Sequence, residues 1–128
     1  MGSGVVKGVG MKTGTDFTAI FLHRDAVDFR KSINGLMCIV EQEMVLSPFA
    51  EALFVFCNKS RDKLKALYWD KTGFCLWYKR LEKDRFKWPG KHPGPHLTVT
   101  TQQWDWLLAG LDIATMQGHQ PLLFASLR

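Results

Sequence analysis

The sequence has 128 residues, about the length of one domain, and its 46% hydrophobic residues can form a buried core without disulfide bonds or metal ions. No apolar run approaches the roughly 18 residues that a membrane-spanning helix requires, and the amino terminus lacks the apolar stretch of a secretion signal. The net charge is +5. The three cysteines are an odd number at wide spacing, which argues against a disulfide-rich secreted scaffold and favours a soluble cytoplasmic protein with reduced thiols.

The chain divides into a leader, one domain and a tail. Residues 1–14 are rich in glycine, so we interpret them as a flexible leader or a remnant of cloning, with Met11 as an alternative natural start. Residues 15–116 carry all of the periodic segments and are predicted to form a single domain. Residues 117–128 lose this periodicity and contain Pro121. They are predicted to form a tail, and the pattern does not decide whether this tail is ordered.

The first predicted elements are a strand and a helix. Residues 15–22 combine aromatic and β-branched side chains, as an extended strand does. Asp28 then has the position of a helix N-cap, whose carboxylate accepts a backbone N–H of the first turn. An apolar stripe at helical spacing follows and predicts a helix that ends near Glu43 or Met44. The residues of this stripe are Phe29, Ile33, Leu36, Val40 and Met44.

Three strands are predicted next. Residues 52–57 are apolar at every position, as in a strand that is buried on both faces. Residues 63–69 and 74–80 flank a turn, which suits a hairpin whose Gly73 takes the left-handed position of a bulge. This register would place Trp69 and Trp77 on one face, whereas a slip of one residue would separate them. Both faces mix aromatic residues with cations, so the sequence does not decide which face is exposed.

The last predicted elements are a connector and a helix. Residues 89–96 are rich in proline and glycine and predict a turn-rich connector. Thr100 and Gln103 have the spacing of a capping box, in which each side chain bonds the other residue's backbone N–H. A helix of about three turns follows, with apolar positions at Trp104, Leu107, Leu108 and Leu111. Together the elements predict an α+β fold: a small antiparallel, hairpin-rich sheet with one helix after the first strand and a carboxyl-terminal helix.

The sequence offers no convincing catalytic or metal-binding pattern. A two-metal nuclease or transposase needs converging carboxylates, yet each candidate acid has an ordinary position beside a helix, in a turn or after a strand. Those acids are Asp25, Asp28, Asp70 and Glu82. His92 and His96 have a spacing seen at zinc sites but no accompanying Cys-x-x-Cys pair, and His23 and His119 are expected at the surface. We therefore predict no enzyme activity, no cofactor and no bound metal.

Positive charge is concentrated in one quarter of the chain. Residues 59–91 hold 11 of the 17 Lys and Arg but 4 of the 12 acids, a surplus of seven charges, whereas the other residues carry six cations and eight acids. Cations neutralise phosphates and aromatic rings stack on unpaired bases, so nucleic-acid binding is one interpretation. A solvated strand face that uses lysines against aggregation is the other. The candidate contact residues are Lys63, Lys65, Trp77, Lys79, Arg80, Lys83, Arg85 and Lys87.

Several longer stretches resemble a known protein family. They are AVDFRKSINGL at residues 26–36, ALFVFCN at 52–58, LYWDKTGFCLWYKRLEK at 67–83 and FKWP at 86–89. These stretches resemble the TnpB, or second-reading-frame, accessory protein of bacterial insertion sequence family sixty-six. The resemblance implies a role in transposition beside a separate catalytic transposase, and it brings no catalytic residues. Within the family's Asp-x-Arg-Lys pattern, Arg30 and Lys31 become candidates for contacting a phosphate or a partner carboxylate.

The sequence and the resemblance together predict a non-catalytic accessory protein. It would assist DNA transposition by contacting the DNA of the element ends through the basic aromatic hairpin. The alternative is an adaptor that binds the transposase or another element-encoded protein through apolar surface, with the charge only assisting the encounter. Members of the family often end in an arginine-rich tail, and the low charge of residues 117–128 weakens the prediction of such a DNA-binding tail here. No membrane partner is expected, and the oligomeric state stays open.

Overall fold

The computed structural model describes residues 17–89 and 94–116, and the predictions for residues 1–14, residues 117–128, His92 and His119 lie outside them. The described chain forms a five-stranded sheet with the order β4-β3-β2-β1-β5. The strands are β1 (Ala19–His23), β2 (Ala52–Cys57), β3 (Lys63–Asp70), β4 (Gly73–Arg80) and β5 (His96–Val99). The helices are α1 (Ile33–Gln42), α2 (Thr101–Leu108) and the short α3 (Ile113–Met116). None of these helices is long and apolar enough to cross a membrane.

The sheet is mostly antiparallel, which confirms the predicted α+β fold class. Its one parallel pair joins β1 to β2, with Ile20 beside Leu53. Parallel neighbours need a crossover connection, and α1 supplies it between these two strands. β5 was not predicted, because its residues follow a segment of prolines and glycines; it pairs antiparallel to β1, with His96 opposite His23. β1 itself begins at Ala19 rather than at residue 15.

The sheet is covered on both sides by apolar residues. β2 lies at its centre and all six of its residues are buried, which confirms the prediction of a central strand. One side, called the α1 face, is covered by residues of α1 that include Leu36 and Val40. The other side, called the α2 face, is covered by Trp104 and Leu107 of α2 and by Phe86 from the segment after β4. The core therefore forms two layers with the sheet between them.

The helix α1 begins four residues later than the predicted cap allows. Its N-cap is Ser32, so the prediction of Asp28 as the N-cap is wrong. The carboxylate of Asp28 instead accepts the backbone N–H of Arg30 at 2.9 Å and closes a turn that precedes the helix. Asp side chains favour such local bonds in turns as strongly as they favour helix caps, and the two patterns look alike in a sequence.

The hairpin between β3 and β4 has a different register from the predicted one. Asp70 pairs with Gly73 across a two-residue turn, and the left-handed backbone conformation belongs to Lys71 (φ 56°) rather than to Gly73. The predicted bulge at Gly73 is therefore wrong. The one-residue slip puts Tyr78 on the α1 face, opposite Lys65, and puts Trp77 on the α2 face.

The capping box of the carboxyl-terminal helix is confirmed. The Thr100 hydroxyl accepts the backbone N–H of Gln103 at 3.1 Å, and the Gln103 side-chain oxygen accepts the backbone N–H of Thr100 at 2.8 Å. α2 ends at Leu108, about one turn before the predicted end, and Gly110 takes a left-handed conformation (φ 84°) that turns the chain into α3.

Candidate nucleic-acid interface

Most of the described cations gather at one end of the sheet. The strand registers place His23, Cys57, Lys63, Arg80 and His96 at this end, here called the basic end. Lys71, at the tip of the β3–β4 hairpin, lies at the opposite end. The cations on the strand ends and connecting segments of the basic end are Arg24, Arg30, Lys31, Lys59, Arg61, Lys63, Arg80, Lys83, Arg85 and Lys87.

The chain after β4 crosses the basic end as a segment without regular secondary structure, residues 81–88, which we call the strap. Its start is fixed where Leu81 donates its backbone N–H to Asp62 at 2.8 Å. Phe86 donates its backbone N–H to the Arg61 carbonyl at 2.7 Å, and its ring is 2% exposed within the α2-face core. At the far end the indole N–H of Trp88 bonds the main-chain oxygen of His23 at 2.9 Å. The strap therefore runs from the edge strand β4 back to β1.

The outward side of the strap carries three cations. Lys83, Arg85 and Lys87 are exposed, and Phe86 between the last two points into the core. Within the described part of the chain, none of the three forms an ion pair or a side-chain hydrogen bond. The burial of Phe86 thus fixes the backbone that carries Arg85 and Lys87 on its two sides, and the exposed acid Asp84 lies between Arg85 and Lys83 in the chain.

A second group of cations at the basic end is paired with acids. Arg30 binds Asp28 at 2.6 Å, Lys63 binds Asp62 at 3.2 Å and Arg80 binds Glu82 at 2.9 Å. Two of these pairs shift the pKa of a member. The side-chain and backbone hydrogen bonds from Arg30 lower the pKa of Asp28 to about 2, and the bond to Glu82 raises the pKa of Arg80. The pairs of Arg30 and Arg80 are exposed and contribute little to stability, so a phosphate can replace their carboxylates at small cost. The pair of Lys63 and Asp62 is half-buried.

Two of the predicted contact lysines have their ammonium groups bound to backbone oxygens. Lys65 donates to the carbonyl oxygens of Phe29 at 2.9 Å and Lys31 at 2.8 Å, and its partial burial lowers its pKa. Lys79 donates to the carbonyl oxygen of Leu108 at 2.9 Å, at the carboxyl end of α2. A cation there satisfies a free carbonyl and complements the helix dipole. Both lysines therefore hold the fold together at the basic end.

The predicted aromatic contact residue is also engaged within the protein. Trp77 lies on the α2 face, partly buried, with its ring 6.2 Å from that of Trp104. Tyr78, one residue later, is 50% exposed on the α1 face. Sequence reasoning did not select Tyr78, because the predicted register did not decide which of the two faces is exposed.

His23 was expected at the surface, and that prediction is wrong, since the residue is 3% exposed. Its ring nitrogens lie 2.8 Å from the main-chain oxygen of Asp25 and 2.9 Å from a carboxylate oxygen of Glu43. With Arg24 and Pro95 these residues line a polar cleft of about 260 Å³. Among the described residues, no group of three or more His, Cys, Asp or Glu side chains could hold a metal ion.

Comparison with known proteins identifies the family to which the chain belongs. The family model described as "IS66 Orf2 like protein" matches residues 18–118. The chain belongs to the IS66 Orf2-like protein family. The predicted family is therefore confirmed, and it makes this chain an insertion-sequence accessory protein.

Two curated relatives of this IS66 Orf2-like chain come from Sinorhizobium fredii (strain NBRC 101917 / NGR234). The uncharacterized protein y4jC is 36% identical over 93 residues, which cover 73% of this chain and 79% of the relative. The uncharacterized protein y4hO is 35% identical over 85 residues, which cover 66% of this chain and 73% of the relative. No solved structure gives a significant match to the IS66 Orf2-like chain.

Proposed function

We propose that this accessory protein is non-catalytic and assists transposition by contacting DNA with the strap of the basic end. The observation that carries the proposal is a set of three exposed cations, Lys83, Arg85 and Lys87, that form no ion pair within the described residues. Buried Phe86 and the bond from Trp88 to His23 hold the segment that carries them. Its partners would be the DNA of the element ends and, in a larger complex, the separate transposase. We expect it to act in the cytoplasm, where bacterial DNA is found.

The physical basis of this contact is charge neutralisation by a pre-formed surface. Cations that neutralise phosphates release condensed counterions, and this release supplies most of the affinity for a DNA backbone. A strap that is already anchored loses little conformational freedom when it binds, so more of the electrostatic free energy appears as affinity. Arg30, Lys63 and Arg80 extend the same surface if phosphates replace their carboxylate partners. Lys65 and Lys79 do not take part in the contact, because backbone oxygens occupy their ammonium groups.

A salt titration of binding to element-end duplex DNA tests the proposal. We expect the logarithm of the affinity to fall linearly with the logarithm of the salt concentration, with a slope of about 0.9 per phosphate that the protein neutralises. Replacing Lys83, Arg85 and Lys87 together with glutamine should weaken binding at low salt and reduce the slope by about 0.9 for each phosphate that the variant no longer neutralises. A wild-type protein that binds neither the duplex nor the separated strands of the element ends, even at low salt, would overturn the proposal.

A matched pair of single variants controls for net charge. Arg85→Gln and Lys71→Gln each remove one exposed cation, but Lys71 lies at the opposite end of the sheet. We expect Arg85→Gln to weaken binding and Lys71→Gln to leave it nearly unchanged. Equally weakened binding in both variants would mean that the net charge of the whole protein, rather than the strap, attracts DNA.

A second candidate function rests on an aromatic cluster at the end of the sheet opposite the strap. The rings of Phe49, Trp69 and Phe74 lie 5.0 to 5.2 Å from one another, and Phe49 is 54% exposed. Val45 nearby in the chain is 73% exposed. Exposed apolar patches of this kind mark protein–protein contacts. On this alternative the protein is an adaptor that binds the transposase of its element through the aromatic cluster, without direct contact to DNA.

Co-purification with the transposase separates the two functions. An apolar interface survives high salt, whereas a contact through the strap does not. The adaptor hypothesis predicts that Phe49→Ser abolishes co-purification at high salt and that the triple glutamine variant of the strap retains it. Loss of co-purification in the strap variant alone would remove the support for the adaptor.

A further inference from the structure

Tyr78 is an exposed aromatic residue. The other aromatic rings of its strand contact further rings of the protein. Tyr78 lies on the edge strand β4 and is 50% exposed. Its ring is not isolated, because the ring of Phe29 lies 6.5 Å away at an angle of 52°. Lys65, its partner across the hairpin, turns its ammonium toward the carbonyl oxygen of Phe29 and lies 4.9 Å from the Phe29 ring. Tyr78 is thus a supported ring with one open side.

Cations flank this open ring on two sides. Arg80 follows Tyr78 on the same face of β4, and Lys63 lies directly opposite Arg80 on β3. On the other side Lys31 is fixed near Phe29, because the Lys65 ammonium binds the carbonyl oxygens of both residues. Lys31 is exposed and, within the described residues, has no ion pair. A chain of phosphates that passes between these groups would bring its bases to the ring of Tyr78.

The position on the edge strand decides which nucleic acid can use the ring. No strand of the described residues lies beyond β4, so the face of Tyr78 is open along the sheet edge. The bases of a duplex are paired and stacked inside the helix, so their faces are not free to stack on a half-exposed ring such as Tyr78. Unpaired bases can stack on such a ring, and this stacking is favourable for every base because each has a π-face.

We infer that Tyr78 is a stacking site for an unpaired base, so that the accessory protein binds single-stranded DNA in preference to duplex. This inference rests on the proposed function, in which the strap holds phosphates, and it adds the class of DNA that the basic end recognises. The ring of Tyr78 supplies the base contact, and Lys31, Lys63 and Arg80 supply the nearby phosphate contacts. Duplex DNA would meet the cations of the basic end without the base contact.

Binding of a short single-stranded oligothymidylate, compared with a duplex of equal length, tests the inference. Loss of one base–aromatic stack should weaken single-strand binding by Tyr78→Ala about 5- to 150-fold. Tyr78→Phe keeps the π-face and should bind like the wild type. Duplex binding should change by less than about twofold in either variant, because the strap cations are intact. Phe49→Ala is the matched control, since it removes an exposed ring from the opposite end of the sheet.

A cross-linking measurement on the wild-type protein makes the test independent of folding of the variants. Light-activated oligothymidylate that contains bromouracil should cross-link to Tyr78, as mapped by mass spectrometry of peptides. Cross-links to other residues without one at Tyr78 would overturn the inference, as would an equal weakening of single-strand and duplex binding in Tyr78→Ala. Normal oligothymidylate binding by Tyr78→Ala, with loss of all DNA binding in the strap variant, would overturn the stacking site and leave the proposed function standing. No binding of either DNA by the wild type would overturn both.

Discussion

The indole N–H of Trp88 donates a hydrogen bond of 2.9 Å to the main-chain oxygen of His23, 65 residues earlier in the chain. This bond ties the end of the strap to the end of β1. The guanidinium of Arg61 lies 5.8 Å from the centre of the Trp88 ring and supports it from another side. The position of the strap cations therefore depends on an indole donor as well as on the burial of Phe86.

Replacing Trp88 with phenylalanine should weaken this attachment. The ring keeps most of its apolar area, but the carbonyl of His23 loses its partner, so we expect unfolding to become easier by about 0.5–1.5 kcal/mol. Urea denaturation measures the change. Trp106→Phe is the matched control, because Trp106 is partly buried on the same face and its indole makes no hydrogen bond within the described residues. Equal effects of the two substitutions would contradict a specific role for the bond to His23.

Lys65 and Lys83 should respond differently to removal of their charge. Lys65→Met leaves the carbonyl oxygens of Phe29 and Lys31 without their donor, and we expect a loss of about 1–3 kcal/mol in the free energy of unfolding. Lys83→Met removes an exposed side chain and should change stability by less than about 0.5 kcal/mol. Denaturation and DNA-binding assays on both variants check this. A reversed order, with Lys83→Met the less stable protein, would contradict the structural role assigned to Lys65.

The Asp28 carboxyl should titrate well below the usual range of aspartate. Hydrogen bonds from Arg30 lower its pKa from 3.8 to about 2. A carboxyl whose pKa is lower in the folded than in the unfolded state stabilises the fold fully above pH 4 and loses this effect as the pH falls toward 2. Carbon-13 NMR of the carboxyl group should show a midpoint near 2, moving upward in Arg30→Gln. In this variant we expect the pKa of Asp28 to rise only part of the way to 3.8, because the backbone N–H of residue 30 still bonds the carboxylate.

The reciprocal bonds of the capping box predict energetic coupling between Thr100 and Gln103. Thr100→Ala should cost about 1 kcal/mol, because one orphan N–H at the start of α2 loses its acceptor. Gln103→Ala removes the second bond of the box. In a double-mutant cycle the two losses should not add, since each bond fixes the side chain that makes the other. Additive losses would mean that the two bonds form independently, and Thr100→Ser should preserve the stability of the wild type.

The parts of this fold that the sequence predicted are those set by local chemistry. An unbroken apolar run identified β2 because a central strand is buried on both faces, and the Thr100–Gln103 spacing identified the start of α2. The parallel pairing of β1 with β2 depends on how α1 crosses the sheet, and no local pattern reports it. β5 was missed for a related reason, since its pairing to β1 depends on tertiary contact.

The contact residues of the basic end could be predicted in kind but not individually. Lys65, Lys79 and Lys83 look equivalent in the sequence of the basic segment. Only the tertiary contacts show that Lys65 and Lys79 bind carbonyl oxygens. A single residue of register decided that Trp77 packs on Trp104 while Tyr78 is exposed. Alternation along a strand gives two sets of side chains, and their assignment to faces requires the turn geometry.

That turn geometry gives the last prediction, which concerns Gly73. In the predicted bulge this residue would need a left-handed conformation, and alanine there would cost roughly 1–2 kcal/mol. In the structure Gly73 has no positive φ, and an added Cβ would meet no atom within 4 Å, so we expect Gly73→Ala to change the free energy of unfolding by less than about 0.5 kcal/mol. Lys71 carries the left-handed conformation instead, and Lys71→Gly should stabilise the protein by about 0.5–1 kcal/mol. Thermal and urea denaturation measure the stability of both variants. A large loss in Gly73→Ala with no gain in Lys71→Gly would support the bulged register, in which Trp77 shares a face with Trp69.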